Sequence, residues 1–161
     1  MANLTSTGVT AGRIGRSTSV QMNSTLAGQS GSIFINDWTS VYNQDAEIFT
    51  NVVSGSVQGL KTLLAGTYHF SWTVYMENFN SNAGYTQQHI STGASAYLAK
   101  SYFIVDAASV NGEWSKYQHS TIIDASANDI HGIRCNRSVG TYTVSGLDST
   151  TLTAIYLGPT S

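Results

Sequence analysis

The chain has 161 residues, which is enough for one domain with a core of ordinary size. Apolar residues make up 41% of it and charged residues only 10%, so wholesale disorder is excluded and part of the surface is expected to be covered in an assembly. A net charge of −2 gives no general attraction to nucleic acid or anionic lipid, and we expect neither as a partner.

The composition favours strands and turns. The sequence holds 22 Ser, 19 Thr and nine Tyr, which are poor helix formers. It starts at Met1 without a basic stretch before an apolar run, and no stretch approaches about 18 apolar residues, so neither a secretory signal nor a membrane span is expected. We therefore expect synthesis in a host cytoplasm, with the lone Cys135 as a small buried hydrophobic residue.

The first 31 residues differ from the rest. They are rich in Thr, Ser, Gly and Asn, and their apolar residues lie too far apart to form a core face. They carry two arginines and no acidic residue. We predict an extended N-terminal arm over residues 1–31, either disordered or ordered by a partner, and a folded domain over residues 32–161. The candidate partner-binding residues of the arm are Arg13, Ile14, Arg16, Val20 and Leu26.

Strand signals recur from residue 32 onward, with turn residues between them. A turn at Asn111-Gly112 is a strong reversal signal, and only residues 60–64 suggest a turn of helix. About eight short strands at this spacing predict an all-β sandwich or jelly roll. The predicted strands cover residues 32–35, 47–53, 67–76, 100–105, 119–123, 130–136, 141–144 and 151–157.

Residues 67–76 form the clearest predicted strand. The even positions from Tyr68 to Met76 are apolar and the odd positions are mostly polar, which is the period of a half-buried strand. The apolar face is expected in the core. The opposite face, with His69 and Tyr75, is amphipathic rather than charged, which suits either a protein interface or an ordinary exposed tyrosine.

No pattern predicts an active site. His131 and Cys135 would lie about 13 Å apart on one face of a strand, which is too far for a shared metal ion. The sequence has no Gly-rich phosphate loop, nucleophile elbow or zinc motif. We therefore expect no catalytic residue, no metal and no cofactor.

Two segments resemble a known family. Residues 65–72, Ala-Gly-Thr-Tyr-His-Phe-Ser-Trp, resemble the Ala-Gly-x-Tyr-x-Phe strand of the tumour-necrosis-factor-like jelly roll, which also forms the globular heads of the first complement component. Residues 149–157 are similar to the closing strand of that family, with Leu152 in place of Phe and Ala154 in place of Gly. Residues 128–130, Asn-Asp-Ile, stand where the family often has Gly-Asp-x-Val. The resemblance implies a jelly-roll β-sandwich, here with an N-terminal arm.

The resemblance also implies an assembly. Members of this fold group are characteristically homotrimers with aromatic residues along the trimer core, so it implies a homotrimer here, with His69, Tyr75 and Tyr156 as interface candidates. The whole chain is similar to small bacteriophage virion proteins of this fold, which implies a place on the capsid surface. The first hypothesis is therefore a capsid decoration, or cement, protein that clamps neighbouring subunits of the major capsid protein through its arm.

Two other classes of function are considered. A receptor-binding head of a phage tail or head fibre is the alternative, because the polar, Tyr-containing residues 77–93 would suit protein or sugar recognition. Long shaft repeats, which such fibres usually carry, are not present in the sequence. A hydrolase on a β scaffold is the third class and the least favoured.

Overall fold

The computed structural model describes residues 16–22, 24–43, 46–53, 55, 57–77, 84–92, 96–105, 114–146 and 150–160. Their regular structure consists of strands, and none of them belongs to a helix that is long and apolar enough to span a membrane. The strands, numbered in chain order, are β1 Arg16–Met22, β2 Leu26–Phe34, β3 Trp38–Asn43, β4 Phe49–Val52, β5 Gly59–Thr62, β6 Gly66–Glu77, β7 Gly84–Thr92, β8 Ala96–Val105, β9 Trp114–Ala125, β10 Asp129–Ser145 and β11 Thr151–Gly158.

The strands form two antiparallel layers. One layer has the order β3-β1-β11-β6-β9, and the other has the order β4-β5-β10-β7-β8, with β2 beside the later part of β10. The long strand β10 joins the layers, because residues 143–145 pair with residues 75–77 of β6 while Val144 also pairs with Leu26 of β2. Two layers that curl into each other in this way make a jelly-roll sandwich, as expected from the sequence.

Strand β6 carries the centre of the core. Its even positions from Tyr68 to Met76 are at most 2% exposed, and its odd positions are half-buried, as predicted. Tyr68 lies between the rings of Phe49 and Tyr156, with centroid distances of 5.7 and 5.0 Å. The Phe70 ring stacks on the imidazole of His131 in the opposite layer at 4.2 Å. The contacts of Tyr68 with Phe49 and of Phe70 with His131 hold the two layers face to face.

The N-terminal arm requires a correction. Residues 16–22 and 24–31 do not lie outside the domain, because β1 is hydrogen-bonded between β11 and β3, and β2 pairs with β10. Met22 is fully buried in the core, and its amide donates to the carbonyl of Thr150 at 2.9 Å. Widely spaced apolar residues are sufficient to keep β1 and β2 in the fold, because a strand inside a sheet satisfies its backbone polar groups through its neighbours. Residues 1–15 lie outside the described residues.

Other strand predictions change in detail. Residues 60–64 contain part of β5 and a bend, not a turn of helix, because Leu60 and Thr62 alternate with Lys61 across a buried strand. The two strands predicted over residues 130–136 and 141–144 are one strand, β10, with register shifts opposite β2. The turn predicted at Asn111-Gly112 lies outside the described residues.

Candidate assembly face

The side of the first layer that points away from the core is the candidate functional site. We call it the outward face, and it is built from the odd positions of β6 and β11 together with the even positions of β9. Antiparallel strands hold opposite residues in register, so these side chains form rows that run across the sheet. Within a row, residues on neighbouring strands are about 4.8 Å apart. The rows differ sharply in chemistry from one end of the face to the other.

One row is apolar. His69 of β6 lies directly opposite Ile122 of β9 on one side and Ile155 of β11 on the other. Ile122 is 63% exposed, which is unusual for an isoleucine on a sheet, and Leu157 follows Ile155 on the same face. We call the four residues His69, Ile122, Ile155 and Leu157 the apolar end.

The next two rows carry hydroxyl and carboxamide groups. The first joins Ser120, Ser71, Thr153 and Ser19, and the hydroxyls of Thr153 and Ser19 are 3.1 Å apart. In the second, Gln118 donates through Nε2 to Oγ1 of Thr73 at 3.1 Å. These rows line an open hollow of about 500 Å³ between β6 and β9. The middle of the outward face is therefore polar and without charge.

The far end of the face pairs an aromatic ring with a cation. Tyr75 lies opposite Lys116, and the Lys116 ammonium is 5.7 Å from the centre of the Tyr75 ring. At that distance the ammonium and the ring attract each other. At the opposite end, Thr67 donates to the carboxylate of Asp124 at 2.7 Å. The two charged side chains described on this face thus have opposite signs and lie at opposite ends.

The predicted interface residues do not all lie on this face. His69 and Tyr75 do, separated by the two polar rows. Tyr156 does not, which corrects its prediction as an interface residue: it is 1% exposed and packs against Tyr68 in the core. The reason is the phase of β11, which buries Leu152, Ala154 and Tyr156 and turns the residues between them outward.

The predicted arm residues are also separated. Arg13 and Ile14 lie outside the described residues. Arg16 and Val20 belong to β1, where their backbones pair with Tyr156 and Leu152 of β11. Leu26 lies in β2 and is partly buried against the core. The prediction that residues 1–31 form an arm outside the folded domain is therefore wrong for Arg16, Val20 and Leu26.

The histidine and the cysteine of β10 lie in the core. His131 and Cys135 are both fully buried in β10. Burial raises the pKa of the Cys135 thiol, because the thiolate would be far from water. Within the described ranges, no three His, Cys, Asp or Glu side chains form a group that could hold a metal ion.

Ile122, Ile155 and Leu157 were not predicted as functional residues. Alternation in residues 151–157 was a usable signal for the two β11 residues, since Ile155 and Leu157 share one face with the threonines. In β9 the sequence does not indicate which positions point outward, because Ile122 and Ile123 are adjacent and one of them must point inward and the other outward. The structure places Ile123 against the core and Ile122 outward.

Comparison with known proteins bears on the fold. No protein-family model and no curated protein sequence matches the chain. Among solved structures it is similar to the Eiger TNF of S. frugiperda, with a TM-score of 0.71 over 92% of this chain and 96% of that one, at 10% identity. Murine APRIL at pH 8.0 gives a TM-score of 0.65 over 88% of this chain and 98% of that one, at 11% identity. The chain therefore has an all-β jelly-roll fold of the tumour-necrosis-factor-like type.

Proposed function

We propose that this chain is the subunit of a homotrimeric structural head that decorates a virus capsid. The observation that carries the proposal is the tumour-necrosis-factor-like fold over 92% of the chain, combined with an outward face that exposes Ile122 and carries almost no charge. A low-charge surface of this kind is suited to being covered by protein. The capsid enters the proposal as an expectation from the sequence, which we interpret as resembling small phage virion proteins.

The role we propose is structural and not enzymatic. Two side chains with potentially catalytic groups, His131 and Cys135, are both enclosed in the core of the sandwich. A catalytic nucleophile must reach its substrate and needs a lowered rather than a raised pKa, which is the opposite of the environment around Cys135. The residues that line the open hollow between β6 and β9 include no Asp, Glu, Lys or Arg.

Attachment to the major capsid protein is assigned to the part of the predicted arm that precedes β1. Because β1 begins at Arg16 and is held between β11 and β3, residues 16–22 are already committed to the sheet. Arg13 and Ile14 are therefore the candidate capsid contacts that remain of the original set. The partner would offer acidic and apolar groups to a basic and an apolar side chain.

The experiment is a copy-number measurement on purified virions, paired with native mass spectrometry of the free protein. A decoration protein should be present in a fixed multiple of three per capsid, at numbers close to those of the major capsid protein. Only a few copies per particle, with binding of the isolated head to host cells, would contradict this role and favour the receptor-binding head.

A second experiment tests the capsid contact. The double substitution Arg13→Glu with Ile14→Asp in the full chain should leave the free oligomer intact and lower binding to undecorated capsids by at least about 30-fold. Lys61→Glu, a charge reversal in β5 far along the chain from this segment, is the matched control and should bind like the unmodified protein. Equal binding by all three proteins would remove residues 13 and 14 from the attachment mechanism.

A further inference from the structure

The apolar end carries an exposed isoleucine and a carboxylate at adjacent outward positions of β9. Ile122 is 63% exposed, and Asp124 is exposed one row further along the strand. The Thr67 hydroxyl donates to Asp124, but a hydroxyl bond does not neutralise the carboxylate. The other described charge on this face, on Lys116, lies eight residues away along β9, roughly 26 Å. A segment that covers the apolar end must therefore supply both apolar side chains and a cation.

The chain enters the sheet at this same end. Strand β1 begins at Arg16, and its next residue pairs with Ile155 of β11. One row therefore runs across β1, β11, β6 and β9 at Ser17, Ile155, His69 and Ile122. Three strand spacings, about 14 Å, separate the two ends of this row. The residues that precede β1, 1–15, span about 50 Å when fully extended, so they are long enough to cross the row.

The composition of residues 1–15 matches what the apolar end requires. They include Val9 and Ile14 as apolar side chains and Arg13 as a cation, and they contain no acidic residue. Gly15 stands immediately before β1, and a glycine permits the chain reversal that would turn the preceding residues onto the outward face. Three residues of extended chain cover about 10 Å, and the long Arg13 side chain extends that reach to Asp124 on β9.

We infer that residues 9–15 fold back over the apolar end of their own subunit, with Ile14 on the apolar row and Arg13 beside Asp124. Charge complementarity favours this segment over a second copy of the same face, which would bring two Asp124 carboxylates together. The inference goes beyond the proposed capsid role and does not depend on it. Because Arg13 and Ile14 are also the proposed capsid contacts, attachment would first release them from the apolar end.

A disulfide test measures where residue 14 lies. With oxidised glutathione as the oxidant, Ile14→Cys with Ile122→Cys in the full chain should form a disulfide at least about fivefold faster than Ile14→Cys with Val53→Cys. Val53 is the matched control, because it is 60% exposed and follows β4 of the second layer. The buried Cys135 is present in both proteins.

Mass spectrometry of the denatured, non-reduced protein distinguishes a disulfide within one chain from a disulfide between two chains. A faster reaction within one chain supports the inference. Equal rates for the two cysteine pairs, or a disulfide formed only between chains, would overturn it.

Hydrogen exchange tests the charge pairing without new cysteines. We expect the amides of residues 9–15 to exchange at least about tenfold more slowly in the full chain than in a peptide of residues 1–15. Asp124→Lys should reduce this slowing to about threefold or less, and adding Arg13→Asp should restore it. Exchange at the peptide's rate in the unmodified protein, or unchanged slowing in Asp124→Lys, would overturn the inference. A low copy number on virions would instead overturn the capsid role alone.

Discussion

The two faces of strand β6 show how one strand can serve two purposes. Its inward positions from Tyr68 to Met76 are large, apolar and at most 2% exposed. Its outward positions are mostly small hydroxyl residues with His69 and Tyr75 near the ends. The difference teaches that apolar burial is concentrated on one side of the sheet, whereas the other side is available for the proposed assembly. Substitutions on the two faces should therefore separate folding from association.

The largest expected effect comes from emptying the inward face. Phe70→Ala should lower the free energy of unfolding by about 3–5 kcal/mol, because it leaves a cavity and removes the stack on His131. Ser71→Ala, the next residue on the outward face, should change it by about 0.5 kcal/mol or less. Urea unfolding at one fixed protein concentration measures both, since association would add to apparent stability. Similar losses for the two variants would break the comparison between the faces.

The second prediction concerns the close approach of the backbones of β5 and β10, which are neighbouring strands of the second layer. Gly59 opens β5 with a φ of 145°, and a Cβ at this position would collide with the backbone carbonyl oxygen of His131 in β10. Gly59→Ala should therefore cost about 2–3 kcal/mol in the free energy of unfolding.

Gly31 supplies the control for this steric effect. It also has a positive φ, of 64°, but a Cβ there would meet nothing within 4 Å. Gly31→Ala should cost only about 1 kcal/mol, the price of the left-handed backbone. Equal losses at the two positions, in the same urea experiment, would show that backbone conformation and not the approach of β10 dominates at Gly59.

A buried hydroxyl behind the outward face gives a smaller effect. Thr150 donates to the carbonyl of Ser145 at 2.5 Å and accepts from the amide of Tyr75 at 3.3 Å, while its own carbonyl accepts from Met22. Thr150→Val keeps the shape and removes both side-chain bonds, so it should cost about 1–2 kcal/mol. Thr153→Val removes a half-buried hydroxyl contact with Ser19 and should cost about 0.5 kcal/mol. Thermal unfolding measures both losses of stability. A larger loss for Thr153→Val than for Thr150→Val would contradict the role of the Thr150 hydroxyl as a buried, stabilising hydrogen-bonding group.

Strand β6 shows how far the sequence predicts the fold. Its period of two is uninterrupted, so its core face and its outward face could be assigned from residues 67–76 alone. Strand β1 and the first part of β2 could not be found in this way, although the strand predicted over residues 32–35 overlaps the end of β2. Their apolar residues are sparse, and their stability comes from pairing with β11 and β10. Pairing partners more than a hundred residues away leave no local pattern in a single sequence.

The residues of the candidate site also differ in how far the sequence predicts them. His69 and Tyr75 were predictable because they belong to the regular strand β6. Ile122 became visible only when the register between β6 and β9 was known, since that register selects it over Ile123 as the outward residue. Tyr156 was misassigned because resemblance gave the strand but not its phase, and a one-residue difference in phase exchanges the two faces of a strand.

The smallest expected effect concerns the inward face and is measured as the dependence of stability on pH. The Cys135 thiol is fully buried, and burial raises its pKa above the ordinary value of 9.0. In the unfolded chain the thiol ionises above that value, whereas in the folded protein it stays protonated, so the unfolded state releases the proton first. The folded protein therefore keeps its full stability well below pH 9.0 and loses stability as the pH rises above that value, by roughly 1 kcal/mol at about pH 10. Cys135→Ala should show a shallower decline of unfolding free energy across this range, measured by urea unfolding at several pH values. A decline of equal slope in both proteins would mean that the thiol reaches water in the folded state, and with it that the core behind β6 is less closed than its inward face indicates.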